Sequence, residues 1–186
     1  IKGFSKPKNS MTFYRIKSDN IKNRIRIGSI QTDSMEYYHS FGHTRDYILM
    51  PKNSVTFSSL NMAKGDCVED CFIFNWENNL EFNLMKIEDG TNKVFKVDHP
   101  GLIIHTGNTY IEDDIMTIDF EMSAKNLDPF KTFSMSWLKD NNRKGIPMGY
   151  VFRRYKIDLK TEKVTFNDIL APEFNSYGFP MINPTF

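Results

Sequence analysis

The chain has 186 residues, of which 40% are hydrophobic and 14% aromatic, and this suits one globular domain with a real core rather than a disordered chain. Its 24 basic and 23 acidic side chains give a formal net charge of +1 without a basic stripe or an acidic block, so nucleic acid is not an expected partner. Cys67 and Cys71 lack zinc-ribbon or disulfide-framework spacing, and no apolar run approaches the roughly 20 residues of a membrane-spanning helix, so a cytoplasmic setting is expected.

Short runs of alternating apolar and polar residues recur about every 10 to 12 residues along the chain. They predict strands over residues 11–16, 25–30, 37–41, 47–50, 71–74, 80–87, 94–97 and 115–122. Turn-forming residues separate the runs, for example at 88–92. This spacing predicts an all-β sandwich, barrel or propeller. Residues 155–164 predict two strands joined by a polar hairpin turn, a unit typical of propeller blades, and favour the propeller.

One segment departs from the strand pattern. Phe130, Phe133, Trp137 and Leu138 come close to helical spacing after Pro129. We therefore predict one helix or long excursion over residues 130–141.

The four histidines are the candidates for metal chemistry, although a single histidine is more often a hydrogen-bonded structural residue than a ligand. His39 and His43 have the spacing of a helical metal pair, but the tyrosines before them and Gly42 between them favour a strand and a turn. His99 precedes Pro100 and is assigned a structural or solvent role. His39 and His105 remain, each on an apolar background beside a glycine.

Two motifs around these histidines resemble those of a known family. Residues 37–47, with the pattern Tyr-x-His-Ser-Phe-Gly-x-Thr-x-x-Tyr, resemble the second iron-ligand segment of the carotenoid cleavage oxygenases. His105-x-x-Asn108-x-Tyr110, followed by acidic residues and a strand, resembles the third. Residues 179–183 resemble the Phe-Pro motif that follows the next blade. The resemblance covers nearly the whole chain and is closest to the animal branch of β-carotene oxygenases and the retinoid isomerase of the retinal pigment epithelium.

The resemblance implies a seven-bladed β-propeller in which four neutral imidazoles hold one Fe(II) per full-length chain under a helical dome. His39 and His105 are then two of the four ligands, and the other two lie before residue 1 and after residue 186. Residues 1–186 are accordingly expected to be several blades from the central part of a single propeller domain, truncated at both ends. As a fragment the chain is expected to be unstable and inactive alone.

The implied function is oxidative cleavage of a carbon–carbon double bond in a carotenoid or apocarotenoid, with a lipophilic polyene and O2 as the partners. Four neutral imidazoles suit Fe(II) and leave coordination room for O2. A retinoid isomerohydrolase-type activity is the related alternative. Tyr37, two residues before His39, is a candidate substrate contact in the tunnel, with a core aromatic as the equal alternative.

One departure from the family pattern bears on the metal. Gly178 stands where the family has a glutamate that accepts a hydrogen bond from the third ligand histidine. Losing such a partner typically costs about 10- to 100-fold in metal affinity or activity, so His105 needs a substitute such as Glu173. Without one, the alternative is an inactive propeller that binds a lipophilic ligand or a protein. An unrelated β protein with two incidental histidines is the third hypothesis.

Residues 57–64 fall where relatives carry an apolar rim that contacts a bilayer surface. Phe57, Leu60 and Met62 are interrupted here by polar residues, so an ordinary surface loop is favoured over peripheral membrane contact.

Overall fold

The fold consists mostly of antiparallel strands, as the all-β prediction requires. A computed structural model describes residues 9–123, 130, 134–142, 150–170 and 180–181. The strands are β1 (Asn9–Lys17), β2 (Asn20–Thr32), β3 (Gly42–His43), β4 (Tyr47–Lys52), β5 (Val55–Phe57), β6 (Phe72–Phe74), β7 (Glu81–Lys86), β8 (Asn92–Lys96), β9 (Leu102–Glu112), β10 (Ile115–Ser123), β11 (Tyr150–Asp158) and β12 (Val164–Asp168). Two short helices, α1 (Ser59–Lys64) and α2 (Met135–Lys139), and a 3-10 turn (Val68–Cys71) complete the described elements.

The strands form four sheets within the described residues. Two sheets have four strands, in the orders β3-β4-β7-β8 and β12-β11-β10-β9, and two have two strands, β1-β2 and β5-β6. Neighbouring strands are antiparallel throughout and mostly adjacent in sequence, which is the arrangement of meandering blades.

The main core lies between the two four-stranded sheets. Leu49, Phe82 and Leu84 of one sheet pack with Phe120 and Tyr155 of the other, and all five side chains are buried. The ring centroid of Phe82 lies 5.0 Å from that of Tyr155 in an edge-on contact. Full burial of one such side chain stabilises the fold by about 1.5–3 kcal/mol, so this layer fixes how the sheets sit against each other.

Strand β10 is buried on both faces, one of them apolar and the other polar. Its apolar residues Met116, Ile118, Phe120 and Met122 belong to the core. The alternate positions are also buried but polar: Thr117, Asp119, Glu121 and Ser123. Because side chains alternate across a strand, these four share the face that points away from the core.

Most predicted strands are present. β1, β2, β4 and β10 extend the predicted ranges, β6 and β7 are shorter than predicted, and β8 begins and ends earlier. The predicted turn at 88–92 contains Gly90 at a φ of +72°, a conformation that glycine adopts without cost, and Asp89 caps it by accepting the N–H of Thr91. The hairpin predicted at 155–164 joins β11 and β12.

Residues 37–41 were predicted as a strand, and this was wrong. Among the described residues, the ladder contact that precedes them is an isolated bridge between Glu36 and Thr56, and the strand β3 begins after them at Gly42. The Tyr37 N–H still donates to the Val55 carbonyl. Ser40, however, is held through its side chain, which donates to the hydroxyl of Thr106. The apolar alternation reflects packing of an irregular segment.

The predicted helix over 130–141 is present in shorter form as α2, which Ser134 caps by accepting the N–H of Trp137. Residues 131–133 lie outside the described part of the chain. No helix among the described residues is long and apolar enough to cross a bilayer. The surface loop favoured for residues 57–64 was wrong in part, since Ser59–Lys64 form the helix α1, on which Leu60 and Met62 are exposed beside Lys64. Contact with a bilayer stays the less favoured hypothesis.

Candidate metal centre

His39 and His105 come together in space, although 66 positions separate them in the sequence. Their ring centroids lie 4.9 Å apart in an edge-on arrangement. His39 belongs to the irregular segment between β2 and β3, and His105 lies on β9. The two imidazoles that the sequence singled out therefore share one location.

The residues that follow each histidine tie the two segments together. The Ser40 hydroxyl lies 3.0 Å from Thr106 Oγ1, to which it donates, and it accepts the backbone N–H of Thr106 at 3.3 Å. Because Ser40 follows His39 and Thr106 follows His105, these bonds hold the histidines at a fixed separation. The serine of the His-Ser-Phe-Gly motif thus has a structural role.

Gly42 in the same motif allows the close approach. A Cβ atom at this position would lie 2.6 Å from Thr109 Oγ1 and 3.3 Å from Thr109 Cγ2, distances too short for an ordinary contact. A larger residue would push the His39 segment away from β9. Thr44 then closes the turn into β4, since its hydroxyl accepts the backbone N–H groups of Asp46 and Tyr47.

Asn53 forms hydrogen bonds with the backbone of both histidine segments. Its buried carboxamide donates to the Tyr37 carbonyl at 3.0 Å and accepts the N–H of Ile103 at 2.8 Å. One side chain therefore fixes the backbone two residues before each histidine. No pattern in the sequence indicates this role of Asn53, because it depends on a contact between residues 50 positions apart.

The register of β9 and β10 places His105 opposite Glu121. The pairing Ile103↔Met122 is followed by His105↔Glu121, so Ile104 forms a bulge, and a second bulge falls at Gly107. Residues paired across strands share a face, and Met122 and Glu121 point to opposite faces of β10. The bulge at Ile104 therefore moves His105 from the core face to the polar face.

A short hydrogen bond joins the paired side chains. His105 Nδ1 lies 2.6 Å from Glu121 Oε2, and the glutamate side chain is only 3% exposed. A buried carboxylate requires such a partner, because leaving a charge unpaired away from water is costly.

His39 is supported differently. Its Nδ1 lies 2.8 Å from the Tyr37 hydroxyl, whose pKa is raised by burial, so that the phenol stays protonated. Partial burial and the nearby His105 lower the pKa of His39, while Glu121 acts in the opposite direction. The neutral imidazole, which is the form that binds metals, is thereby favoured.

These residues fit a metal centre of the expected kind. Both Nδ1 atoms have oxygen partners, which is the arrangement in which a histidine binds a metal through Nε2. Imidazole nitrogen is a suitable donor for Fe(II). Among the described residues, no group of three or more histidine, cysteine or acidic side chains is placed to hold a metal.

An aromatic cluster borders the histidines. The Tyr37 ring makes edge-on contacts with Phe72 and Phe130, at centroid distances of 5.0 and 5.2 Å, and Phe72 stacks on Phe130 at 4.0 Å. Phe74 and Tyr150 pack in the same cluster. Tyr37 therefore packs as a core aromatic and also contacts His39 through its hydroxyl, while its role as a substrate contact stays a prediction.

The other two histidines lie elsewhere. His43 is exposed on β3. His99 has the predicted structural role: its Nδ1 lies 2.8 Å from the Pro100 carbonyl, and its Nε2 lies 3.1 Å from the Tyr155 hydroxyl and 3.2 Å from Arg153 Nη1.

Gly178 and Glu173, to which the sequence analysis gave importance, lie outside the described residues. Pro180 is described and lies near Gly107, since a Cβ at Gly107 would be 3.3 Å from the Pro180 Cβ. The carboxylate beside His105 in the described part of the chain is Glu121, a residue that the sequence analysis did not propose.

Comparison with known proteins gives a consistent family. The family model described as retinal pigment epithelial membrane protein (RPE65) matches residues 2–186. No curated protein sequence matches.

Solved structures of an apocarotenoid oxygenase share the fold. The Glu150Gln mutant of the Synechocystis apocarotenoid oxygenase has 16% identity and a TM-score of 0.67, covering 88% of this chain and 33% of its own. The cobalt-substituted Synechocystis enzyme has 18% identity and a TM-score of 0.66, with the same coverage. A chimera of that oxygenase with RPE65 has 17% identity and a TM-score of 0.66, covering 87% and 32%. The chain thus spans about a third of these relatives, and the likeness confirms the predicted all-β, propeller-type fold.

Proposed function

Because the chain belongs to the retinal pigment epithelial membrane protein family, we propose that it is the central part of an oxygenase domain that cleaves a carotenoid or apocarotenoid. The longer protein that would contain it is called the parent protein below. In this proposal His39 and His105 are two of the four imidazole ligands of one Fe(II). The observation that carries the proposal is the pair of rings 4.9 Å apart, each with an oxygen partner at Nδ1.

Bound Fe(II) would supply the activation of O2 for oxidative cleavage of a carbon–carbon double bond. The protein's own part is to hold the imidazoles and to place the substrate. Ser40 and Thr106 fix the spacing of the two ligands, while Tyr37 supports the ring of His39. Since the ligands are neutral, they would leave the site compatible with an apolar substrate.

The aromatic cluster suits a lipophilic polyene. Tyr37 lies beside His39 and packs edge-on against Phe72 and Phe130, which stack on each other. Such a group of rings would give an extended apolar chain an apolar wall to pack against. Positioning of one double bond near the metal would then select the bond that is cleaved. Tyr37 would contact both the substrate and a ligand.

The case for an inactive binding protein is weakened by Glu121. That hypothesis rests on Gly178, which removes the family's carboxylate partner of the third ligand, together with other departures from the family pattern, such as Ile111 and His43. Glu121 provides a buried carboxylate 2.6 Å from His105 Nδ1.

Metal analysis of the purified parent protein tests the proposal. The wild type should contain close to one iron per chain, and His39→Ala and His105→Ala should each lose most of it. His43→Ala is the matched control, because His43 is exposed four positions after His39 and should not affect iron content. A folded wild type without iron, or full iron content in both alanine variants, would refute the metal site. Incubation with carotenoid under ¹⁸O2 should give labelled carbonyl products.

A further inference from the structure

We propose that Glu121 is the positioning residue of His105, an inference that rests on the proposed metal function. The carboxylate would accept the Nδ1 proton of the imidazole, orient the ring and leave Nε2 for the metal. Glu121 lies on β10, the strand adjacent to the one that carries His105. The support would therefore come from within the same sheet.

The contact has the geometry of a strong, charge-assisted hydrogen bond. The distance between Nδ1 and Oε2 is 2.6 Å, and the side chains of Glu121 and His105 are 3% and 21% exposed. Exclusion of water strengthens such a bond, because water competes little for either partner. A carboxylate behind a ligating histidine fixes the tautomer and raises the basicity of the metal-binding nitrogen.

The register between β9 and β10 determines the contact between His105 and Glu121. Two bulges in β9, at Ile104 and Gly107, flank the stretch in which His105 is paired with Glu121. Without the bulge at Ile104, His105 would share the core face with Ile103, because a shift of one residue reverses the side-chain direction. The bulge at Ile104 thus turns His105 to the polar face of the sheet, and Glu121 provides a hydrogen-bond partner for it on that face.

Asp119 and Glu121 lie on the same polar face of β10 but have different partners. Asp119 is also buried and lies two residues from Glu121 on the same face, but its two oxygens accept from Arg154 Nε and Nη2 at 2.7 and 2.8 Å. One carboxylate is paired with a permanent cation and the other with an imidazole. This difference supplies a matched control within one strand.

The family places the supporting carboxylate before the Phe-Pro motif, where this chain has Gly178. Glu121 would supply the same chemical group from strand β10. The replacement explains how His105 could remain a ligand although position 178 carries no side chain.

The test measures Co(II) binding by the metal-free parent protein, using the visible absorption of bound Co(II) and thermal unfolding in parallel. Glu121→Gln keeps the size of the side chain but removes the charge and one acceptor. We expect its Co(II) affinity to fall about 10- to 100-fold. Asp119→Asn should lose thermal stability but keep the wild-type affinity to within about 2-fold, since Asp119 does not contact His105. Glu121→Asp, which retains the carboxylate, should recover part of the loss.

The outcomes separate this inference from the function on which it rests. Unchanged Co(II) affinity in Glu121→Gln, or an equal loss in Asp119→Asn, would overturn the positioning role while the metal site stands. A folded wild type that binds no Co(II) would overturn the metal site and this inference together. If Glu121→Gln does not fold, ¹⁵N NMR of the metal-free wild type decides: a proton on His105 Nδ1 is expected, and a proton on Nε2 alone would refute the inference.

Discussion

Replacing Gly42 by alanine should loosen the link between the two histidine segments. The added Cβ would lie 2.6 Å from Thr109 Oγ1 and 3.3 Å from Cγ2, while Thr109 Cβ is 3.5 Å away at ordinary contact distance. Both branches of the threonine crowd the new atom, and β-branched side chains have restricted rotation about χ1. Extra atoms in a tight contact cost about 1–3 kcal/mol, so Gly42→Ala should destabilise the parent protein by that amount.

Thr109→Ala provides the second arm of a double-mutant cycle. It removes the two atoms that clash and leaves only the 3.5 Å contact. On its own it should cost little, because Thr109 Oγ1 is buried without a hydrogen-bond partner among the described residues. The double variant should therefore be more stable than Gly42→Ala, with a coupling of about 1 kcal/mol or more.

Urea unfolding and Co(II) titration of the four proteins form the assay. Gly42→Ala should also weaken Co(II) binding, since the displaced segment carries His39, and Thr109→Ala should restore it. Two results would refute the reasoning: a Gly42→Ala variant as stable as the wild type, or a double variant as unstable as Gly42→Ala alone.

Two further predictions concern Tyr37 and His99. Tyr37→Phe keeps the ring packed against Phe72 but removes the hydroxyl 2.8 Å from His39 Nδ1, so Co(II) affinity should fall by up to about 10-fold with little loss of thermal stability; an unchanged affinity would contradict this role. The pKa of His99 is lowered, chiefly by burial and further by Arg153, so the unfolded chain takes up the proton first as the pH falls. The stability that neutral His99 contributes should be present above about pH 6.5, the ordinary histidine pKa, and be lost progressively below it. His99→Asn should flatten the dependence of the unfolding midpoint between pH 7 and 5, and an equally steep profile in the variant would exclude His99 as the cause.

Much of the fold could be predicted because local patterns decide it. The strands at 47–50, 80–87 and 115–122 follow from apolar alternation, and each of them packs into the core. Residues 37–41 show the limit of this reasoning. Tyr37, Tyr38 and Phe41 give an apolar pattern, yet the segment is held by the side chain of Ser40 and the carboxamide of Asn53 rather than by a ladder.

The full length of strand β9 could not be predicted from the apolar pattern, for a related reason. Thr106, Gly107, Asn108 and Thr109 interrupt the apolar run, and the bulges at Ile104 and Gly107 break the two-residue period. The same bulges decide which face His105 occupies. His39 and His105 could be proposed from their motifs, but Glu121 could not, because its partner depends on a register between strands that no local pattern specifies.

The two histidines are supported by unequal means, and this has a consequence for metal binding. His105 lies on a strand and contacts a buried carboxylate, whereas His39 is exposed on an irregular segment and contacts a neutral phenol. Charge-assisted hydrogen bonds are roughly twice as strong as neutral ones. The side chain of His105 is accordingly held more strongly by its own partner than that of His39 is. The Ser40–Thr106 bond and the close approach at Gly42 compensate for the weaker partner of His39, because they hold its segment against β9.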